Sequence, residues 1–228
     1  MKLGVLDYGA GNLRSVLNAI AATGRQATLV TKPEDFEPLD LLVFPGQGAF
    51  GDSVRILKAN GLWEPLQTWL REGRPYLGIC LGYQLLFESS QECAGVRGLG
   101  VAAGEVRRFE ARAGLKVPHM GWNDTQLLQP GHPCWQGLPN PAHFYFVHSY
   151  HPHPEDPALA LCSTHYDGDF VSGIAAPGLL AVQFHPEKSQ ANGLRLLDNC
   201  IKVLAAGVSE TATPQAPSSC AAADSDLR

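Results

Sequence analysis

An α/β fold is predicted, with a parallel sheet flanked by helices in the first half of the chain and a more β-rich second half. Three observations predict it. Between residues 3 and 87, short apolar runs alternate with stretches of helical spacing, the pattern of strands joined by crossover helices on both faces of a sheet. From Gly98 to Ala181 that alternation gives way to short β-like runs separated by turn residues. The 228 residues, 45% of them apolar, are enough to fill one sizeable core, since a chain of this size buries roughly 70% of its unfolded surface.

The elements follow in order. Leu3 to Leu6 is a short apolar run and reads as a buried strand. Asn12 to Ala22 carries Leu13, Val16, Leu17 and Ile20 at helical spacing. Ala27 to Val30 is a second strand, and Leu41 to Phe44 a third, closed by Pro45-Gly46. A helix from Leu62 to Arg71 stops before Gly73. Tyr76 to Ile79 is a fourth strand, with a helix beginning over Tyr83 to Phe87. In the β-rich half the expected strands are 104–109, 115–118, 144–147, 158–163, 173–175 and 179–184. Leu194 to Leu204 is a final amphipathic helix. Residues 1–206 are expected to form one domain. Residues 207–228, rich in Ser, Thr, Ala and Pro with little that packs, are expected to be a disordered tail.

Charge narrows the function classes. Lys plus Arg number 17 against 22 Asp plus Glu, and a net charge of −5 excludes the basic footprint of a nucleic-acid binder. No apolar run approaches the ~18 residues of a membrane span. Met1 to Asp7 is too short and too soon acidic for a signal peptide, so a cytosolic protein is expected. The six cysteines, at 80, 93, 134, 162, 200 and 220, include no CxxC pair and suit neither a zinc site nor a disulfide scaffold. They are expected as free thiols.

Cys80 differs from the rest. A strand runs into Gly78-Ile79-Cys80-Leu81-Gly82 and then a helix, the nucleophile-elbow pattern with Cys where hydrolases carry Ser. Glycines flank the turn because neighbouring side chains would collide there, and the helix N-terminus favours a thiolate. The alternative is a buried Cys packed as a small hydrophobe. A nucleophile needs a base and a group to orient it, and Gln183-Phe184-His185-Pro186-Glu187 offers both. Pro186 favours extended backbone, in which His185 and Glu187 project to the same side as an imidazole–carboxylate pair.

Pro45-Gly46-Gln47-Gly48-Ala49-Phe50-Gly51 matches the G-x-G-x-x-G dinucleotide fingerprint, but the next strand ends in Cys80 rather than the acidic residue that holds a ribose. Its position after a strand instead suits backbone N–H groups of Gln47 and Gly48 aimed at an oxyanion, with the N–H of Leu81 as the other donor. A plain βα turn is the alternative. Asp7 to Asn12 is a second glycine-rich loop, equally compatible with a phosphate cradle and with a turn facing a partner. His143, His148, His151 and His153 crowd together, but Pro152 and Pro154 make that segment irregular. Neither a metal nor a cofactor is expected.

Gly78-Ile-Cys80-Leu-Gly82-Tyr-Gln84 together with Gln183-Phe-His185-Pro-Glu187 resembles the class I (triad) glutamine amidotransferases. Tyr8 to Val16, Val117-Pro-His-Met-Gly-Trp-Asn123, Phe144 to Tyr150 and His185-Pro-Glu-Lys-Ser189 narrow the likeness to glutaminase subunits of imidazole glycerol phosphate synthases, over residues 2–204. The resemblance implies a flavodoxin-like amidotransferase domain. It implies Cys80 as nucleophile toward L-glutamine, His185 as base and acid, and Glu187 as the residue orienting His185. Gln84 and the backbone around Ser149 and Tyr150 would hold the substrate. It implies a heterodimer with a (β/α)₈-barrel cyclase that receives the ammonia, with Asn12, Trp122, Tyr145 and Lys188 at the interface. Two positions depart from the family: Gln47 stands where Val is common, and Tyr83 where Met is commoner. Other readings are another synthase's amidotransferase component, a stand-alone γ-glutamyl Cys hydrolase, and a silent scaffold subunit, against which the intact Cys80, His185 and Glu187 argue.

Overall fold

The structure, a computed structural model, describes residues 1–9, 12–110 and 114–211. A nine-stranded sheet runs through the molecule. Its first half is parallel. Strands β1 (Leu3–Leu6), β2 (Ala27–Val30), β3 (Leu41–Phe44) and β4 (Tyr76–Ile79) are in the order β2-β1-β3-β4. Every residue of β1, β3 and β4 is buried, as the continuous apolar runs require of strands covered on both faces. Helix α1 (Leu13–Ala22) covers one face; α2 (Phe50–Ala59) and α3 (Trp63–Arg71) cover the other.

The short helix α4 (Leu81–Gln84) is a single turn followed by a strand, β5 (Phe87–Ser90), where a longer helix over 83–87 was expected. Leu81 to Phe87 is buried throughout, so the run has no solvent face for a longer amphipathic helix. α2 was not anticipated, although Phe50, Val54 and Leu57 supply its buried stripe, with Asp52 in the first turn and Lys58 in the last.

β6 (Ala102–Arg108) pairs with β5, and further along come β7 (His119–Leu127), β8 (Ala142–His148) and β9 (Tyr150–Pro154). β10 (Ala160–His165), β11 (Asp169–Ala176) and β12 (Leu179–Val182) complete the strands, and α5 (Gln190–Thr211) follows. β12 pairs in parallel with β4, and from it the large sheet continues antiparallel as β11-β10-β7-β8. β5-β6-β9 forms a separate three-stranded sheet.

Three expectations are corrected here. No strand forms over 115–118; the strand starts at His119, just after Pro118, which has no N–H for a ladder. The segment holding Pro152 and Pro154 is a regular strand, tolerated because β9 is an edge of its sheet. The final helix begins at Gln190 rather than Leu194 and continues to Thr211. The tail expectation for 212–228 lies outside the described residues. No helix among the described residues is long and apolar enough to cross a membrane.

Strand alternation splits the core into two. Val5, Val43, Ile79 and Val182 face α1 and α5, against Ile20, Leu197 and Ile201. Leu42, Phe44, Tyr76 and Ala181 face α2 and α3, against Leu57, Leu66 and Trp69. The sheet order sets β1, β3, β4 and β12 side by side and pointing the same way. Their carboxyl ends therefore deliver four loops to one place: those carrying Tyr8, Gly46 to Gly48, Cys80, and Gln183 to Glu187. Open α/β sheets bind ligands at such strand ends.

Candidate active site

Cys80 sits between β4 and α4 with φ 53° and ψ −99°, a left-handed backbone uncommon for a residue with a Cβ. Its N–H donates to Val182 O at 2.8 Å, which ties the elbow to β12. The flanking glycines are required by close approach. A Cβ on Gly82 would lie 2.0 Å from Phe44 O, and one on Gly78 would lie 2.8 Å from Gly82 O. The sulfur opens into a cavity of ≈ 390 Å³.

His185 Nδ1 is 2.7 Å from Glu187 Oε1, both side chains nearly fully buried. The pair does form, but not in the extended chain expected of it. Pro186 to Lys188 makes a 3₁₀ turn with His185 as its cap; proline's fixed φ suits the first position of such a turn, which folds Glu187 back toward the ring. Ser189 Oγ donates to His185 O at 2.7 Å, and the His185 N–H donates to Tyr145 O at 2.9 Å, so the turn is docked on β8. His185 Nε2 is buried with no hydrogen-bond partner among the described residues. Burial pulls the imidazolium down, but the Cys80 sulfur and the Glu187 carboxylate outweigh it and push His185 up to about 9. At neutral pH the ring holds two protons, one facing Glu187 and one available toward sulfur.

Gln47, Gly48 and Leu81 line the cavity beside Cys80. The N–H groups of Gln47 and Gly48 donate to no acceptor among the described residues. That of Leu81 opens α4, where no intrahelical partner exists. Gln84, Ser149 and Tyr150 line it as well, and Gln84 Nε2 donates to Tyr150 O at 2.9 Å. Tyr145 and Lys188 stand at its edge, with Lys188 Nζ 5.9 Å from the Tyr145 ring centre. Trp122 lies outside the cavity, 42% exposed, stacked on His143 and edge-on to Tyr145. Asn12 also lies outside it and caps α1, accepting from Ser15 N at 3.4 Å; α1 in turn packs on the His185 turn.

Two residues escaped the sequence reading. Gln183, fully buried, donates from Nε2 to Cys80 Sγ at 3.4 Å and accepts from Gln84 at 3.2 Å. The only signal was its place two residues before His185. Glu92 is the one carboxylate among the described residues lining the cavity, and its Oε2 accepts from Phe50 N at 2.6 Å at the start of α2. Nothing local in the sequence marks it.

The fold sends His143 to the surface but keeps His148 and His151 against one ring, Phe109. His143 pairs with Asp124 at the surface, and His151 stacks on Phe109. His148, on the cavity wall, donates from Nδ1 to Tyr150 O at 2.8 Å, so its Nε2 accepts from His119 Nδ1 at 3.0 Å. His119 Nε2 then accepts from Asn123 at 3.2 Å. Burial holds both rings neutral, His119 down at about 4. The five described cysteines are free thiols, and Cys134, Cys162 and Cys200 are buried. Cys220 lies outside the described residues.

The family model for glutamine amidotransferase class-I matches residues 4–203. The chain belongs to the class-I glutamine amidotransferases. The imidazole glycerol phosphate synthase subunit HisH of Synechococcus sp. (strain JA-3-3Ab) is 43% identical over 206 residues, 90% of this chain and 95% of that protein. The HisH subunit of Sulfurimonas denitrificans is 42% identical over 203 residues, 88% of this chain and 97% of that protein. Among solved structures, a glutamine amidotransferase superposes with TM-score 0.70 at 21% identity, covering 90% of this chain and 99% of the other. PurLQS of Thermotoga maritima superposes with TM-score 0.67 at 15% identity, covering 89% and 98%. These likenesses bear out the flavodoxin-like amidotransferase fold. This amidotransferase is an enzyme with glutaminase chemistry.

Proposed function

We propose that this amidotransferase is the glutaminase subunit of an imidazole glycerol phosphate synthase. The observation that carries the chemistry is Cys80 on the wall of a cavity whose Gln47 and Gly48 N–H groups have no acceptor among the described residues, with the buried His185–Glu187 pair acting on its sulfur. The likeness to HisH subunits over about nine-tenths of the chain supports the choice of synthase.

Cys80 passes its thiol proton to His185, and the resulting thiolate attacks the side-chain carbonyl carbon of L-glutamine. The carbonyl oxygen takes the charge and is met by the N–H of Leu81 and those of Gln47 and Gly48. The proton on His185 passes to the nitrogen, the C–N bond breaks and ammonia leaves a thioester on Cys80. His185, now neutral, takes a proton from water, which attacks the thioester; the C–S bond breaks and glutamate leaves. Glu187 holds the ring orientation and supports its charge. Gln183 accompanies the sulfur through the cycle as a hydrogen-bond donor. Glu92 supplies the acceptor for the substrate's α-ammonium, and the backbone at Ser149 and Tyr150 meets its α-carboxylate.

Ammonia released to solvent would be wasted. The surface made by Asn12, Trp122, Tyr145 and Lys188 docks a (β/α)₈-barrel cyclase, where ammonia reacts with a phosphoribulosyl ribonucleotide. The products are imidazole glycerol phosphate and an aminoimidazole carboxamide ribonucleotide. The heterodimer works in the cytoplasm, residues 1–206 form its amidotransferase domain, and the segment after them is dispensable for activity.

The test mixes the chain with a cyclase subunit and measures glutamine hydrolysis with and without the nucleotide. Weak hydrolysis alone and a sharp rise in the loaded complex are expected. Full rate alone would favour a stand-alone γ-glutamyl hydrolase. Cys80→Ala should abolish glutamine-dependent synthesis while leaving complex formation and synthesis from added ammonia intact; residual glutaminase activity would remove Cys80 as the nucleophile.

A further inference from the structure

The glycine-rich loop after β1 carries a side chain that the reaction as described does not use. Tyr8 is fully buried, edge-on to Phe44 on β3. Its hydroxyl donates to Gln47 O at 3.0 Å. The contact is close on every side: a Cβ on Gly46 would lie 2.9 Å from this hydroxyl and 2.9 Å from Leu81 Cβ. The phenol, the Gly46 backbone and the first residue of α4 are thus packed in one stack beneath the elbow. Burial pushes the Tyr8 phenol up to about 12, so it is a neutral donor across the working range of pH.

One peptide plane makes this contact consequential. The carbonyl of Gln47 and the N–H of Gly48 belong to the same rigid unit and point in opposite directions. Gly48 has φ +132°, a conformation that side chains resist, and it lines the cavity. Its N–H has no acceptor among the described residues. The far side of the loop is held as well: Ser53 Oγ donates to Ala49 O at 2.9 Å, and Glu92 takes the N–H of Phe50. Of these holds, only that of Tyr8 acts on the plane that carries the Gly48 donor.

We propose that Tyr8 is a positioning residue for the oxyanion hole, its buried hydroxyl holding the Gln47–Gly48 peptide so that the Gly48 N–H is turned into the glutamine cavity. The proposal rests on the glutaminase reading above. It gives the first glycine-rich loop a task that is neither phosphate binding nor partner contact alone: it supplies the anchor for the second glycine-rich loop. A bound oxyanion then meets a donor fixed in advance rather than one that must be ordered during the reaction.

Tyr8→Phe removes the one oxygen and keeps the ring against Phe44. The full-length chain, saturated with its cyclase and nucleotide, is assayed for glutamine hydrolysis. Its Cys80 is also alkylated with iodoacetamide, a displacement that builds no oxyanion. The expected result is a kcat lower by roughly ten- to a hundred-fold, short of the about 10²–10³ for deleting an oxyanion donor outright. KM for glutamine, the alkylation rate and the melting temperature stay near wild type. An unchanged or raised kcat overturns the proposal, as does a loss confined to KM. Equal slowing of hydrolysis and alkylation also overturns it, because the hydroxyl would then be supporting the site as a whole. If the wild-type complex hydrolyses glutamine and Cys80→Ala does not, the glutaminase reading stands whichever way Tyr8→Phe falls. If the wild-type complex is inert, that reading fails first.

Discussion

The two halves of the large sheet use backbone differently. In the parallel half, β1, β3, β4 and β12 are short, buried on both faces and end at the site. In the antiparallel half, β7 and β8 have one face against the core and one open, with Met120 62% and Trp122 42% exposed. The parallel half gathers the proposed reacting groups, because four aligned strand ends deliver four loops to one spot. The antiparallel half presents a surface. On the proposed function, chemistry and docking therefore fall to different halves, and single substitutions separate them.

The largest expected effect contrasts two glycines. Gly82→Ala would set a Cβ 2.0 Å from Phe44 O, and a backbone carbonyl inside a four-strand layer cannot yield cheaply. A loss of about 3 kcal/mol or more is expected, read from the denaturation midpoint, with activity lost as well. Gly121→Ala in β7 meets nothing within 4 Å and carries only the strain of φ +134°. That costs about 1–2 kcal/mol. Equal costs at the two sites would mean that the parallel half is no more tightly constrained than the other.

The same contrast explains what could be read in advance. β1, β3 and β4 are continuous apolar runs bounded by turn residues, and the elbow, the glycine loop and the His185 segment each follow a strand end, so local spacing pointed to them. β7 hides because its inward positions are His119, Thr125 and Leu127, two of them polar: His119 is paired to His148 and Thr125 to Thr164. Polar residues satisfied by partners dozens of positions away erase the alternation that marks a strand. β9 hides because its two prolines are tolerated only at an edge, and edges are set by tertiary pairing. Glu92 and Gln183 hide for a related reason. Their roles come from a cavity assembled by several segments, while Cys80 and His185 announce themselves through the backbone geometry around them.

The next effect is chemical and confined to the parallel half. Glu187→Gln keeps the shape of the His185 turn and removes the carboxylate charge. His185 lies at about 9, above its ordinary value, so it loses its proton only as pH rises through that region. The substitution lowers this pKa, and the alkaline limb of kcat/KM shifts toward lower pH. At pH 8 a loss of roughly 10²-fold or more is expected, the scale of a misplaced general acid–base. Linkage has the matching sign: the raised pKa contributes stability fully present below about 6.5 and lost as pH approaches about 9. The melting-temperature gap between wild type and variant should therefore be widest near pH 6 and close by pH 9.5. A gap that widens with pH would mean that Glu187 does not support the imidazolium.

The smallest effect on the isolated chain should come from the antiparallel half. Trp122 stacks on His143 at an interplanar angle of 8° and meets Tyr145 edge-on, so its ring is held in place before any partner arrives. A pre-ordered, exposed aromatic is the kind of anchor on which interfaces concentrate their energy. Trp122→Ala leaves the neighbouring strand pairs of β7 and β8 in register, and Trp122 meets the cavity lining only through its edge-on contact with Tyr145. Its melting temperature and its slow hydrolysis in isolation should match wild type. The cyclase concentration that gives half-maximal stimulation should rise about thirtyfold, the ~2 kcal/mol of an interface hot spot, with the saturated rate regained at excess cyclase. A saturated rate that stays low would place Trp122 in the coupling between the halves rather than in docking, and the division drawn between them would have to move across β7.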